Sequence, residues 1–276
     1  MIAASVAAAF WTLLMAALLL GWPWLLALAA GRRPAWFRSL EPPGRHELAR
    51  AWDRLDRPRW REVGGWSALV TLAGILPVAP GGVAADLDAG LLWAAVLAVA
   101  IWCACPAPPV DGARLGAAAL ALVGASVPVV VRVASLDLTD VVVAQQGGAG
   151  NWFLIREPFL VVSALVFLVT TAAVWSRTTP RSAGTLLATT VRLGLPLVAA
   201  GGFAILFLGG WWAFVPFLDG APWLNSLVKT LVVYGVLLWL RGRTTRADLA
   251  LRWMPLVGVV AALGSLAWLV IGGGAR

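Results

Sequence analysis

Long apolar stretches recur along the whole chain, and only short connections separate them. A membrane-spanning helix needs roughly 20 apolar residues, and about eight stretches qualify, near residues 5–29, 65–83, 88–106, 114–135, 157–177, 186–212, 223–240 and 253–272. Hydrophobic residues make up 61% of the chain and charged residues 12%, whereas a soluble domain carries about 25% charged residues. The pattern predicts an all-α, polytopic integral membrane protein in which residues 1–276 form a single transmembrane domain.

Arginines lie in alternate connections, which predicts how the chain is oriented. Positive residues favour the cytoplasmic side of a membrane. The odd-numbered connections contain Arg32, Arg33, Arg38, Arg45, Arg50, Arg54, Arg57, Arg59 and Arg61 (first), Arg114 (third), Arg177 and Arg181 (fifth), and Arg241, Arg243, Arg246 and Arg252 (seventh). The even-numbered connections contain Asp86, Asp88, Asp137, Asp140 and Asp219. With eight spans, both termini lie on the outer side of a bacterial-type inner (plasma) membrane.

The first apolar stretch is predicted to be a retained span. It has no basic residues before it and is too long for the apolar region of a cleaved signal peptide. The basic connection that follows, residues 31–63, includes "GRHELARAWDRLDRPRW", in which Leu48, Trp52 and Leu55 recur at helical spacing. This periodicity favours an amphipathic helix on the cytoplasmic surface of the membrane. The alternative is a positively charged loop that only fixes the topology.

The sequence lacks the residues that several functions require. His46 is the only histidine, which excludes bis-histidine haems and most Ser-His-Asp hydrolases. Cys103 and Cys105 are too few for a closed thiolate metal site, so no metal is expected. The net charge of +8 does not indicate nucleic-acid binding, because the arginines lie between membrane spans. Lipid is the expected environment.

Ionisable residues are scarce within the predicted spans. No Asp or Glu falls in the middle of a span, and Lys229 is the best candidate for a buried charge, about two turns inside the seventh span. A lysine there either faces the interior of the bundle or extends its ammonium group to the nearer membrane surface. Proton relays normally need chains of titratable side chains, and the spans contain no such chain.

Three segments, in the same order along the chain, resemble the H-subunit family of respiratory complex I. The C-terminal segment is "AILFLGGWW…PWLNSLVKTLVVYGVLLWLRGRTTRADLALRWMPL", residues 204–256. Its matching positions are Gly209, Gly210, Trp211, Lys229, Trp239, Arg241, Arg246, Asp248, Trp253 and Pro255. "SLDLTDVVVAQQGGAGNWFLIREP", residues 135–158, is similar to the family's loop between spans four and five, and "DLDAGLLW", residues 86–93, is similar to the start of span three.

The resemblance implies a non-catalytic or quinone-site subunit of an NADH:quinone oxidoreductase-like complex, one that anchors the hydrophilic arm. The implied partners are iron–sulfur hydrophilic subunits and antiporter-like membrane subunits. No cofactor is expected on this chain itself, although a quinone is expected at a shared interface. The candidate residues for the quinone region are Trp36, Phe37, Arg45, Trp52, Arg177 and Arg181.

One part of the chain departs from the family's pattern. The family has a cluster of carboxylates between spans five and six, whereas this chain has "VWSRTTPRSAGT", residues 174–185, without any acidic residue. A segment without carboxylates cannot pass a proton by the family's route, whatever its fold. Coupling to proton movement is therefore in doubt, and a structural subunit that has lost this activity is an alternative.

Two further functions stay open from the sequence. One is the related membrane anchor of energy-converting hydrogenases, whose corresponding loop is also an Arg-x-Pro variant. The other is a standalone transporter, which predicts discontinuous spans. Pro196 with Gly201 and Gly202 offers one such break in the sixth span.

Overall fold

The computed structural model describes residues 60–75, 112–177, 186–212, 222–243 and 247–272, and all regular structure within these ranges is helical. The helices are α1 (Trp60–Ile75), α2 (Gly112–Val133), α3 (Leu138–Val143), α4 (Phe153–Arg156), α5 (Pro158–Arg177), α6 (Leu186–Leu208), α7 (Pro222–Arg243) and α8 (Ala247–Gly272), with a 3₁₀ turn at Ala149–Asn151. The predicted first and third spans, residues 86–93 and the predicted surface helix lie outside these ranges.

Helices of membrane-spanning length are present in the described part of the chain. Stretches in α2, α5 and α7 (Gly116–Val133, Pro158–Ser176 and Pro222–Arg241) are long and apolar enough to cross a bilayer. Helices α1, α6 and α8 contain shorter apolar segments. The predicted fold class, an all-α polytopic integral membrane protein, is confirmed.

Helices α5 and α6 form the centre of the bundle. Helix α5 packs against α2, α6, α7 and α8, while α6 also contacts α1 and α7. Phe203 and Phe207 of α6 pack together with ring centroids 4.9 Å apart, and Phe167 of α5 lies 5.8 and 6.3 Å from these two rings. Such tilted aromatic pairs add attraction beyond the area they bury, and they join the two central helices.

Helices α2 and α8 approach each other closely at a pair of glycines. A Cβ atom added to Gly124 would lie 3.2 Å from the carbonyl carbon of Gly258, and one added to Gly258 would lie 3.3 Å from the carbonyl oxygen of Ala121. Inside a bilayer the helices gain no hydrophobic free energy from contact, so small residues that allow tight van der Waals packing hold them together.

Helix α6 is continuous through the position where the transporter alternative expects a break. It runs from Leu186 to Leu208 with Pro196 inside it, and Gly201 and Gly202 are helical as well. Proline is tolerated in membrane helices because neighbouring helices and local adjustments satisfy the freed backbone groups. The prediction that this helix is interrupted near Pro196, Gly201 and Gly202 is therefore wrong.

Candidate functional site

The turn "GGWW" after α6 contains two glycines that the backbone requires. Gly209 and Gly210 have φ angles of 69° and 49°, in the left-handed region that glycine enters without strain. The Gly210 N–H donates to the carbonyl of Ala204, six residues earlier, at 3.0 Å, so the left-handed turn supplies a partner for a carbonyl near the end of α6. A Cβ atom on Gly210 would also lie 2.9 Å from Val142 Cγ2. The two glycines therefore end the helix and allow Val142 of α3 to pack closely against the turn.

The ammonium group of Lys229 binds the carbonyl end of α6. Its Nζ donates to the carbonyl oxygens of Leu208 at 2.6 Å, Gly210 at 3.0 Å and Trp212 at 2.6 Å. The last carbonyls of a helix have no partner within it, and a cation is favoured there by the helix dipole. We call this arrangement, Lys229 with these three carbonyls, the Lys229 cap.

The Lys229 cap is buried and is closed by an aromatic ring. Only 4% of the Lys229 surface is exposed, and its Nζ lies 4.7 Å from the centroid of the Trp152 ring. An ammonium group over an indole face is stabilised electrostatically, more strongly when it is shielded from water. The charge of Lys229 thus interacts with backbone oxygens and a ring, and all three of its N–H donors are used.

Gln145, from the connection between α2 and α5, also binds carbonyls at the end of α6. The Gln145 side chain is fully buried, and its Nε2 donates to the carbonyls of Ile205 at 3.1 Å and Leu206 at 3.3 Å. Its Oε1 accepts from the backbone N–H of Phe153 at 3.1 Å. Together, Gln145 and Lys229 bind three carbonyls in the last turn of α6, those of Ile205, Leu206 and Leu208. They join this turn to α7 and to the connection between α2 and α5.

That connection, residues 134–157, is folded by its own polar residues. Asp137 caps α3 by accepting from the Thr139 N–H at 2.7 Å, and the Ser135 hydroxyl donates to Asp140 Oδ2 at 2.6 Å. At its base, Arg132 Nε lies 2.8 Å from Glu157 Oε1. These contacts place Gln145 and Trp152 against the end of α6. Gln145 was not predicted from the sequence, because its partners are backbone groups that leave no residue pattern.

The other end of α7 has arginines stacked on tryptophans. The Arg241 guanidinium lies 4.7 Å from the ring centroid of Trp175 in α5, and the Arg243 guanidinium lies 4.2 Å from that of Trp239. Trp175 also packs against Tyr234 at 5.7 Å between ring centroids. Twelve residues separate Lys229 from Arg241, which corresponds to about 18 Å along a helix. We call these two regions the Lys229 end and the arginine end of α7.

The predicted site residues divide between these two ends and the parts of the chain that are not described. Gly209, Gly210, Trp211 and Lys229 lie together at the Lys229 end, and Trp239 and Arg241 lie at the arginine end. Arg177 is the last residue of α5 and Asp248 lies in the first turn of α8. The structure does not describe the side chains of Arg177 and Asp248. Six other predicted residues lie wholly outside the described ranges: Trp36, Phe37, Arg45, Trp52, Arg181 and Arg246.

Curated relatives match part of the chain. It is 34% identical over 137 residues to the NADH-quinone oxidoreductase H 2 subunit of Geobacter sulfurreducens. It is 33% identical over 137 residues to the NADH-quinone oxidoreductase H 1 subunit of Geobacter metallireducens. The resemblance to the H-subunit family is confirmed. Each match covers 44% of this chain, which spans 39% of the length of each of these relatives. No known protein-family profile matches the chain.

A solved structure shares the fold of nearly the whole chain. It belongs to the membrane-bound sulfane sulfur reductase, an archaeal respiratory membrane complex, and the match has a TM-score of 0.62 at 16% identity. It covers 95% of this chain and 99% of that one. The chain therefore has the fold of a chain of that complex, and this fold match extends well beyond the part aligned with the curated relatives.

Proposed function

We propose that this chain is a membrane subunit of a complex I-like redox complex, where it anchors a hydrophilic arm and shapes a quinone-access region. The sequence likeness to the two Geobacter H subunits carries this proposal. The fold likeness to a chain of an archaeal respiratory membrane complex supports it, because that likeness extends over nearly the whole of both chains.

In this role the interior of the chain is structural rather than a path for protons. Lys229 is the charged side chain buried in the described part of the bundle, and the Lys229 cap uses all three of its donors on backbone carbonyls. Residues 174–185 lack the carboxylates of the family's coupling loop. Any proton movement in the complex would use ionisable groups of other subunits.

The basic connections are the surfaces that bind the partner. Residues 31–63 and 177–192 both carry arginines, and residues 177–192 contain no acidic residue. Opposite charge steers two proteins together, so an acidic partner surface is expected. A quinone enters beside the first span and the surface helix, near Trp36, Phe37, Arg45 and Trp52, with Arg177 and Arg181 on the partner side. The chain itself holds no cofactor.

The orientation belongs to the same proposal. The arginine pattern favours both termini on the outer side of a bacterial-type inner membrane. A C-terminal fusion to alkaline phosphatase, which is active only outside the cytoplasm, is expected to be active, while a fusion to green fluorescent protein at the same position is expected to be dark. The reverse result would contradict the orientation.

A second candidate is the membrane anchor of an energy-converting hydrogenase-type complex. The observation that favours it is the loop after α5, where Arg177 and Pro180 stand in a stretch without carboxylates, as in the Arg-x-Pro variant of the corresponding loop in that family. The missing carboxylates fit either candidate. A copurifying nickel-containing large subunit would favour the hydrogenase-type complex over a quinone reductase.

The proposal is tested by purifying the tagged chain from its native membrane in mild detergent and identifying bound proteins by mass spectrometry. Iron–sulfur and antiporter-like subunits are expected to copurify. Replacing both Arg177 and Arg181 by Glu is expected to lower recovery of the hydrophilic subunits, whereas Arg252→Glu, an exposed arginine on α8, is the matched control. Recovery of the chain alone, while other respiratory complexes stay intact, would contradict the proposal and favour the standalone transporter.

A further inference from the structure

One face of α7 presents an apolar stripe that ends in an arginine. Val232, Val236 and Trp239 are 60%, 39% and 54% exposed, and Arg243 is exposed as well. Their spacing of four, three and four residues aligns them along one side of a helix. Gly235, also exposed, lies within the same stripe, and a Cβ atom added there would meet nothing within 4 Å. The stripe therefore has a notch in its middle and a positive charge at its end.

Arg243 is held at the end of this stripe by stacking. Its guanidinium lies 4.2 Å from the ring centroid of Trp239. Side chains on a helix lean toward its N-terminus, so Arg243 folds back over the ring toward the hydrocarbon region rather than extending into water. A stacked guanidinium uses its face on the ring and keeps its edge N–H groups available for planar acceptors.

The positive charge of Arg243 is not matched by an acidic side chain in the described part of the chain. The ion pair found there joins Arg132 to Glu157, and Glu157 immediately precedes α5, whereas the arginine end lies next to Trp175 near the last turn of α5. An exposed guanidinium beside an exposed indole at the end of a membrane span lies where lipid phosphates are found.

We propose that this face of α7 binds a phospholipid with a net negative headgroup. The lipid phosphate accepts hydrogen bonds from Arg243, its ester region contacts the Trp239 ring, and one acyl chain lies along Val236, Gly235 and Val232. An anionic headgroup is preferred over a zwitterionic one because the ammonium group of the latter would lie beside the guanidinium. This surface is distinct from the Lys229 end.

The proposal is tested with the full-length tagged chain in detergent, by native mass spectrometry during titration with phosphatidylglycerol or phosphatidylcholine. Phosphatidylglycerol is expected to bind more tightly, and Arg243→Gln is expected to weaken its binding about fivefold, as for one interfacial charge. The matched control is Arg252→Gln, because Arg252 is also exposed but has no stacked ring among the described residues. It is expected to weaken binding less than Arg243→Gln does, because no aromatic ring among the described residues holds the Arg252 guanidinium in place.

A second variant tests the acyl-chain contact without changing the charge. Gly235→Leu fills the notch and is expected to weaken phosphatidylglycerol binding while the protein stays folded. Equal effects of Arg243→Gln and Arg252→Gln, or no effect of either, would overturn the proposal. It would also be overturned if Arg243→Gln lowered recovery of a copurifying subunit from native membranes with bound lipid unchanged, because the face would then be a protein interface.

Discussion

The two ends of α7 use positive charge in different ways. At the Lys229 end, Lys229 is 4% exposed and its ammonium group donates to three backbone carbonyls. At the arginine end Arg243 is exposed and stacks on Trp239. The first cation neutralises a helix end inside the bundle, whereas the second remains accessible to a molecule outside it.

This difference bears on how a lysine inside a membrane is interpreted. Intramembrane charges usually indicate ion or proton paths, but the Lys229 cap shows another use. The end of α6 leaves carbonyls that lipid cannot satisfy. The Lys229 ammonium group satisfies that of Leu208, the last residue of α6, and those of Gly210 and Trp212 in the turn that follows. Lys229 is thus part of how the bundle holds together.

The largest effect is expected from Lys229→Met, which keeps the side-chain length but removes the charge. Three carbonyls lose a charged donor, so the free energy of unfolding is expected to fall by about 3 kcal/mol or more. Thermal unfolding in detergent, followed by circular dichroism, measures this change. The matched control is Thr230→Ala, whose hydroxyl donates only within its own helix, to Ser226. An unfolding temperature equal to that of the wild type would contradict the structural role.

The next largest effect is expected from Gln145→Leu, which has a similar volume but cannot form hydrogen bonds. The Ile205 and Leu206 carbonyls and the Phe153 N–H lose their side-chain partner, at a cost of about 2 kcal/mol. Gln146→Leu is the control, because Gln146 is the adjacent residue and is exposed. If the two variants lowered stability equally by the same measurement, the connection would not be fastened to α6 through Gln145.

A smaller effect is expected from Gly210→Ala, at about 1.5 kcal/mol for a left-handed alanine. Its methyl group would also press on Val142 Cγ2 at 2.9 Å, so adding Val142→Ala is expected to restore part of the loss. Chemical unfolding of the single and double variants separates backbone strain from contact. Gly116→Ala, at an exposed helical glycine with open space around it, should not destabilise. A Gly210→Ala protein as stable as Gly116→Ala would contradict the required backbone angle.

The smallest effect is expected at the ion pair between Arg132 and Glu157. Their side chains are 30% and 22% exposed, so a double-mutant cycle with Arg132→Gln and Glu157→Gln should give a coupling of about 0.5 kcal/mol that declines with salt. Coupling as large as the effect of Lys229→Met would mean that the pair, rather than the Lys229 cap, fastens the connection to the bundle.

Much of the described fold was predictable because apolar length determines membrane helices. The stretches near 157–177 and 223–240 correspond to Pro158–Arg177 and Pro222–Arg243. Helix α1 begins at Trp60 rather than 65, and α8 at Ala247 rather than 253, because hydropathy detects only the apolar part of a helix and not its polar flank. The stretch 186–212 includes the turn at 209–212, which ends the helix at Leu208.

The candidate site was predictable only in part. The glycines, Trp211 and Lys229 stand out as residue types in the sequence, and the structure brings them together at the end of α6. Their joint role was not predictable, because Lys229 and Gln145 bind backbone carbonyls 17 to 21 and 60 to 61 residues away in sequence. Every residue has such a carbonyl, so no side-chain pattern marks the partner.

The most direct test of the proposed function is photo-crosslinking in living cells, with a photoreactive amino acid replacing Arg181. Trp223 is the comparison position, because it is exposed at the Lys229 end of α7. The proposal predicts that position 181 captures an iron–sulfur-containing hydrophilic subunit and that position 223 does not. Capture of lipid alone at position 181, in cells whose respiratory complexes are intact, would contradict the assignment of this chain as a membrane anchor.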